Sequence, residues 1–167
     1  MAKTKRQVFY SFHFGNDVMR VQQIRNMGVI EGDEPTSPNE WEKLQKKDGG
    51  VKKWIDDTMD YRSCVIVLIG EETAKRPLVE YEIRKAWNDK KGLFGIYIHN
   101  LNCPKKKKET GIGTCKQGSN PFDNIKFNSG SKLSNVVKCY NPKSADAYND
   151  IKNNIENWIE EAIESRK

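Results

Sequence analysis

The sequence predicts an α/β fold in which helices cover both faces of a mostly parallel sheet. Strand-like and helix-like segments alternate along the 167 residues, in the order that right-handed βαβ units produce. The run Cys64–Gly70 is apolar throughout, as expected of a central parallel strand with both faces covered. The length suits one hydrophobic core, so we expect a single domain over residues 1–167.

The first predicted unit is a strand, a short loop and a helix. Residues Val8–Phe14 are rich in β-branched and aromatic side chains and stop at Gly15, which indicates a buried strand. Asn16 or Asp17 is placed to cap the next helix, and Gly28 is placed to end it. The end of the first strand would therefore lie beside the start of a helix.

A loop and two helical segments precede the central strand. Residues 29–30 predict a short strand, and residues 31–39 predict a loop because they contain one glycine and two prolines. A helical turn over residues 40–44 would carry Trp41. A helix over residues 51–59 then leads into the central strand.

The second half of the chain repeats the alternation with one long interruption. A helix begins near Pro77 and a strand follows over residues 93–98. Residues 99–135 are polar and predict a long excursion. A short strand near residues 136–139 and a helix capped by Ser144 complete the chain. About five strands result, and a flavodoxin-like three-layer sandwich is the architecture that this order favours.

The net charge of +6 is concentrated in two places. Lys3, Lys5 and Arg6 lie in a tail, residues 1–6, that we expect to be flexible, and Lys105–Lys108 lie in the excursion. Without these seven charges the rest of the chain carries −1. No RNP, helix-turn-helix or zinc-finger pattern accompanies the lysines. A solvated loop is therefore the simpler interpretation, and a contact with nucleic acid is the weaker alternative.

Absent patterns exclude several other classes. No apolar run approaches the ~20 residues that span a bilayer, and no signal-peptide pattern is present, so we expect a cytoplasmic protein without membrane contact. The GxGxxG, GxxxxGK[ST] and GxSxG motifs are also missing.

A zinc site could draw on four residues, His99, Cys103, Cys115 and Cys139. Because these lack the close ligand pairs of zinc ribbons, we expect reduced thiols and no metal.

One carboxylate is notable near the start of the helix that follows the central strand. Helical geometry places Glu82 about 60° from the centre of that helix's apolar stripe, at the edge of its buried face. Such a glutamate would be half-shielded from water. The alternative is an ordinary surface salt bridge of Glu82 with Lys85, like the pair that Glu80 and Arg84 can form one turn apart.

An ordered pattern of short segments runs along the chain. The segments are, in order, Val8–Phe12, Arg20–Val21, Ile24–Asn26, Trp41, Val65–Gly70 with Thr73, Arg76–Ile83, Gly95–Asn100 and Asn120–Asp123. Their order and spacing resemble the TIR-like domains of bacteria, and most closely the TIR proteins of Thoeris anti-phage defence systems. The resemblance implies a TIR-type fold and, for catalytic members, cleavage of the bond between nicotinamide and ribose in NAD. NAD would be a substrate, with no further cofactor. The product would be a cyclic or modified ADP-ribose signal, read by a separate effector protein.

The resemblance also implies which residues form the site. The catalytic glutamate falls on Glu82, and the loop after the first strand supplies Ser11, Phe12, His13 and Phe14. Trp41, like the two phenylalanines, is a candidate for stacking on a ring of NAD. One position departs from the family pattern, because Leu78 stands where a tryptophan usually precedes the glutamate by four residues. Leu78 and Glu82 would share one helical face.

Two function classes follow. The first is an NAD-cleaving TIR enzyme of phage defence, active alone or as a homo-oligomer. The second is a non-catalytic TIR-type module that binds a nucleotide or a partner protein, which Leu78 and the long excursion favour.

Overall fold

The computed structural model describes residues 6–28, 31–32, 49–103, 107–108, 113–143 and 145–167. The elements are, in order, β1 (Gln7–Ser11), α1 (Phe14–Arg25), β2 (Glu31–Gly32), α2 (Gly50–Met59), β3 (Cys64–Ile69), α3 (Pro77–Asn88), β4 (Gly92–Tyr97), β5 (Cys139–Tyr140) and α4 (Ala147–Glu164). The predicted strand at 29–30, the turn carrying Trp41, the tail before Arg6 and the cap at Ser144 lie outside the described residues.

The strands form one sheet in the order β2-β1-β3-β4-β5, and every pair is parallel. Val8 lies beside Cys64, and Cys64 lies beside Gly92. The order is that of flavodoxin-like sheets, so the predicted fold class is confirmed. Two of the five strands, β2 and β5, contain only two residues each.

Two apolar clusters form the core, one on each face of the sheet. Because side chains alternate along a strand, Ile66 and Leu68 of β3 pack with α1 and α4, whereas Val65 and Val67 pack with α2 and α3. All six residues of β3 are fully buried. The apolar run at the centre of the sequence is therefore the central strand, as predicted, with the same end at Ile69.

The first strand is shorter than predicted. It ends at Ser11, and Phe14 already belongs to α1. His13 takes the N-cap position without a side-chain cap hydrogen bond, and its carbonyl accepts from the amide of Asp17 at 2.9 Å. Aromatic residues favour strands, but Phe12 and His13 lie between β1 and α1, and Phe14 is the first residue of α1. The predicted caps, Asn16 and Asp17, are also wrong, since both lie inside the helix.

The last elements differ from prediction in their boundaries. Strand β2 begins at Glu31, inside the segment predicted as loop, and β5 is centred one to two residues later than predicted. The side chain of Asp146 caps α4 by accepting from the amide of Asn149. Tyr148, in the first turn of α4, is 37% exposed.

The excursion over residues 99–135 contributes apolar side chains to the core, although its sequence is mostly polar. Its described part contains two 3₁₀ turns, Pro121–Asn124 and Leu133–Asn135. Phe122, Ile125 and Leu133 are buried against the α2–α3 face of the sheet. Isolated apolar residues among polar ones give no periodic signal, which is why this contribution to the core is invisible in the sequence.

The four cysteines are free thiols, as predicted, and Cys64 is a buried core residue. Within the described ranges, no three histidine, cysteine or acidic side chains are grouped to hold a metal ion. None of the described helices is long and apolar enough to cross a membrane. Lys107 and Lys108 are exposed.

Candidate functional site

The strand order changes direction beside β1. The chain runs from β1 to β2 on one side and later enters β3 on the other side of β1. Ligands of open parallel sheets bind at such a switch point, outside the carboxyl ends of the strands. Ser11 ends β1 and Gly70 follows β3, and Ser11 lies beside Val67 in the register. The candidate site is therefore the edge of the sheet beyond Ser11 and Gly70.

Some of the residues after β1 pack in the core, and others lie at the edge of the crevice. Ser11 is fully buried, and its Oγ has no hydrogen-bond partner among the described residues. Phe12 is partly buried and packs against the α1–α4 core. Phe14 begins α1, and only its backbone is described. Of the predicted loop, Ser11 and His13 are thus the polar groups at the strand end.

His13 connects the end of β1 electrostatically to the start of α3. Burial lowers the pKa of His13, the positive charge of Arg76 lowers it further, and Glu72 acts in the opposite direction. Its Nδ1 is buried without a hydrogen-bond partner among the described residues. Arg76 is the N-cap residue of α3, so segments more than 60 residues apart in sequence meet at this edge of the sheet.

Gly70 is closely surrounded at the end of β3. A Cβ on Gly70 would lie 2.6 Å from Cγ of Asp17, and a Cβ on Gly118 would overlap the Gly70 carbonyl oxygen. The Gly70 amide donates to Oγ1 of Thr73 at 2.8 Å. Helix α1, the excursion and the turn before α3 therefore converge on one residue that has no side chain.

Glu82 is buried on the face of α3 that packs against the sheet. It is 7% exposed and lies among Val79, Ile83 and Ala86, which are buried too. This is a deeper burial than the half-shielded position predicted. Helical side chains lean toward the helix N-terminus, and α3 begins at the carboxyl edge of the sheet. Side chains of α3 therefore lean in general toward the edge of the sheet at which the candidate site lies.

The surface salt bridge predicted between Glu82 and Lys85 does not form among the described residues, and Glu82 is buried. Lys85 instead contacts Asp89 at 2.7 Å and Asp60 at 3.7 Å. The other predicted pair, Glu80 with Arg84, forms at 2.9 Å and is exposed. The same helix therefore carries one ordinary surface carboxylate and one buried carboxylate two residues apart.

Contacts with α2 hold the outer side of α3. The hydroxyl of Tyr81 donates to Oδ1 of Asp56 at 2.6 Å, and Nζ of Lys52 lies 5.1 Å from the centre of the Tyr81 ring. Leu78, one turn before Glu82, is partly buried and packs against the α2–α3 core. The position that departs from the family pattern is thus occupied by a side chain that belongs partly to the core.

Two charged residues that the sequence reasoning did not select lie beside this site. Asp17 and Arg20 are 1% and 0% exposed, and Nη1 of Arg20 lies 3.2 Å from Oδ1 of Asp17. The sequence does contain an indication that Asp17 and Arg20 are unusual. Asp17 and Arg20 share a helical face with Val21 and Ile24, so two opposite charges occupy positions that otherwise face the core.

The end of β4 contributes the second histidine of the chain. His99 is 8% exposed, and its Nδ1 has no hydrogen-bond partner among the described residues. Burial lowers the pKa of His99, and the charge of Arg20 lowers it further. Its carbonyl accepts from the amide of Cys115 at 3.1 Å. The candidate edge therefore holds histidines after both β1 and β4.

The fold and the position of this crevice define an α/β domain of the TIR-like type. Residues 9–103 match the family described as "Thoeris protein ThsB, TIR-like domain". Over 128 residues the chain is 30% identical to a protein of Bacillus cereus (strain MSX-D12) named "Putative cyclic ADP-D-ribose synthase ThsB1". That match covers 73% of this chain and 64% of the relative. The chain belongs to the ThsB TIR-like family.

Proposed function

We propose that this chain is a TIR-type enzyme that breaks the nicotinamide–ribose bond of NAD, with Glu82 as the catalytic carboxylate. The observation that carries the proposal is the burial of Glu82, 7% exposed on the sheet-facing side of α3. A carboxylate is buried only at a cost that specific partners must offset, and such a carboxylate at a core position beside the carboxyl edge of the sheet supports a functional role. Membership of the ThsB family and the name of the B. cereus relative support NAD as the substrate.

A single carboxylate suits this reaction. Ordinary glycosidases use a general acid for a poor leaving oxygen and a second carboxylate beside the oxocarbenium-like centre. Nicotinamide departs from a cationic ring as a neutral base, so its departure needs no acid. What remains is positive charge at the anomeric carbon, which a fixed carboxylate stabilises electrostatically. Glu82 has that role in the proposal.

The size of the rate loss expected on removing the charge of Glu82 follows from Coulomb's law. Two unit charges about 4 Å apart attract by about 4 kcal/mol at an effective dielectric constant of about 20. Each 1.36 kcal/mol of barrier is a factor of ten in rate, so loss of the carboxylate charge costs roughly a thousandfold. Glu82→Gln keeps the shape of the side chain and removes the charge, so kcat should fall by about that factor.

The fate of the ribosyl cation decides the product. Attack by water gives ADP-ribose, whereas attack by a nitrogen of the adenine ring gives a cyclic ADP-ribose. The proposed site favours the second outcome where it limits water, and the buried polar atoms Oγ of Ser11 and Nδ1 of His13 and His99 lie at the same edge of the sheet. The product is proposed to diffuse to a separate effector protein, so that NAD and the signal, not a resident cofactor, are the small molecules involved.

The test is nicotinamide release from NAD, measured by chromatography on purified protein. Glu80→Gln is the matched control, because Glu80 lies on the same helix and its pair with Arg84 is exposed. We expect wild type and Glu80→Gln to release nicotinamide at similar rates and Glu82→Gln to be about a thousandfold slower. Equal release by wild type and Glu82→Gln would refute the role of Glu82. Protein isolated from phage-infected cells provides a second, triggered condition.

A second candidate function rests on Leu78. Where the family usually has a tryptophan beside the glutamate, the smaller aliphatic side chain of Leu78 packs partly into the core. A non-catalytic TIR-type module that binds a nucleotide or a partner protein would tolerate this replacement. This alternative predicts that NAD binding survives Glu82→Gln while no product appears with any variant or trigger.

A further inference from the structure

A buried ion pair lies beneath the candidate site and takes no part in the reaction proposed above. Asp17 and Arg20 are almost completely inaccessible. Burying two opposite charges is costly, and replacing such a pair by uncharged residues is commonly neutral or stabilising. Stability alone is therefore a weak reason for this pair.

Arg20 also holds the segment that follows β4. Its Nε donates to the carbonyl of Leu101 and its Nη2 to the carbonyl of Gly113, both at 2.9 Å. The amide of Cys103 donates to the same Gly113 carbonyl at 3.0 Å, which joins the segment directly after β4 to the part of the excursion at Gly113. One guanidinium thus connects α1 both to the segment directly after β4 and to Gly113.

Asp17 contacts the end of β3 on the other side of the pair. Its carboxylate lies where a side chain on Gly70 would be, and Gly118 packs against the carbonyl of that same glycine. Thr73 then bonds the Gly70 amide and begins the turn into α3, the helix that carries Glu82.

We propose that Asp17 and Arg20 are positioning residues of the candidate site. They fix the segment after β4 relative to the turn before α3, and so fix the distance between the strand end at His99 and the helix of Glu82. The inference rests on the proposed function, because the arrangement matters only if a reaction occurs between these elements. Arginine is suited to this role, since its planar fork donates in several fixed directions and a lysine ammonium does not.

The expected effect follows from how strictly reacting groups must be placed. A displacement of about 1 Å in a reacting geometry lowers the rate about 100-fold. The uncharged pair Asp17→Asn/Arg20→Met removes the three contacts of the guanidinium without leaving a buried unpaired charge. We expect this variant to fold with a Tm near that of wild type, and to lose kcat for NAD by about 10- to 100-fold with a smaller change in KM.

The experiment compares this double variant with Glu80→Gln/Arg84→Met, which removes an exposed pair on α3. Steady-state kinetics on NAD, thermal unfolding and hydrogen exchange of the Cys103 and Cys115 amides are measured on all three proteins. The positioning role is supported if the Asp17→Asn/Arg20→Met variant shows both the loss of kcat and faster hydrogen exchange at the two amides, while Glu80→Gln/Arg84→Met shows neither change. If wild type binds NAD without cleaving it, the same loss is expected in NAD affinity.

Three results would overturn the positioning role. One is an Asp17→Asn/Arg20→Met protein with wild-type kcat and KM. Another is a protein that loses fold and activity together, which indicates structural support only. The third is unchanged exchange at Cys103 and Cys115. Failure of the proposed function is visible separately, as a wild type that neither binds nor cleaves NAD, and it would overturn both proposals.

Discussion

Replacing Gly118 by alanine tests how the segment after β4 packs on the end of β3. The added methyl group would overlap the carbonyl oxygen of Gly70 and would lie 3.0 Å from its carbon and 3.1 Å from the carbonyl oxygen of Glu71. All three atoms belong to the backbone, so no side chain can rotate away. The backbone of one segment must move, or the contact must open.

The cost of such overpacking is about 1–3 kcal/mol of unfolding free energy. For a chain of this length each kcal/mol corresponds to about 2–4 °C in Tm, so we expect a Tm lower by about 2–12 °C. Urea and thermal unfolding followed by circular dichroism measure both quantities. Ser119→Ala is the control, because the neighbouring Ser119 is exposed and surface changes usually stay within about 0.5 kcal/mol. If Gly118→Ala is as stable as this control, the close packing on Gly70 is wrong.

Three further changes have defined outcomes. Asp146→Ala removes the side-chain bond to the Asn149 amide and should lower the unfolding free energy by about 1 kcal/mol, measured by urea unfolding. Burial lowers the pKa of His13 and His99, so the folded protein keeps both side chains neutral to a lower pH than the unfolded chain does. Their contribution to the free energy of unfolding is therefore fully present above about pH 6.5 and is lost as the pH falls through the lowered pKa values. In urea unfolding between about pH 7.5 and 5.5, His13→Gln/His99→Gln should lose stability less steeply than wild type. Leu78→Trp restores the aromatic side chain beside Glu82 and should lower KM for NAD in steady-state assays; an unchanged KM would argue against a ligand at this position.

The elements with strong periodic signals were predictable. The run ending at Ile69 is apolar on both faces of the strand, as expected of a central parallel strand covered by helices on both sides. Pro77 marks the start of α3, and the observed helix begins at that residue. Glu82 was also predictable as an unusual carboxylate, because its position on the helix is set by geometry alone.

Other parts depend on contacts that no local pattern records. Phe14 favours a strand by propensity, but it is the first residue of α1, so local propensity does not place this boundary. The pairing of Asp17 with the end of β3 depends on Gly70, about 50 residues away in sequence. The backbone acceptors of Arg20 are at Leu101 and Gly113, and a carbonyl oxygen leaves no signature in the residue type that carries it.

The proposed role of Glu82 is to drive cleavage of NAD. Mass spectrometry of nucleotides from phage-infected bacterial cells that express wild type, Glu80→Gln or Glu82→Gln tests it most directly. We expect nicotinamide together with a cyclic or modified ADP-ribose in cells with wild type and Glu80→Gln, and neither above background in cells with Glu82→Gln. The same products at the same levels in cells with Glu82→Gln would contradict it.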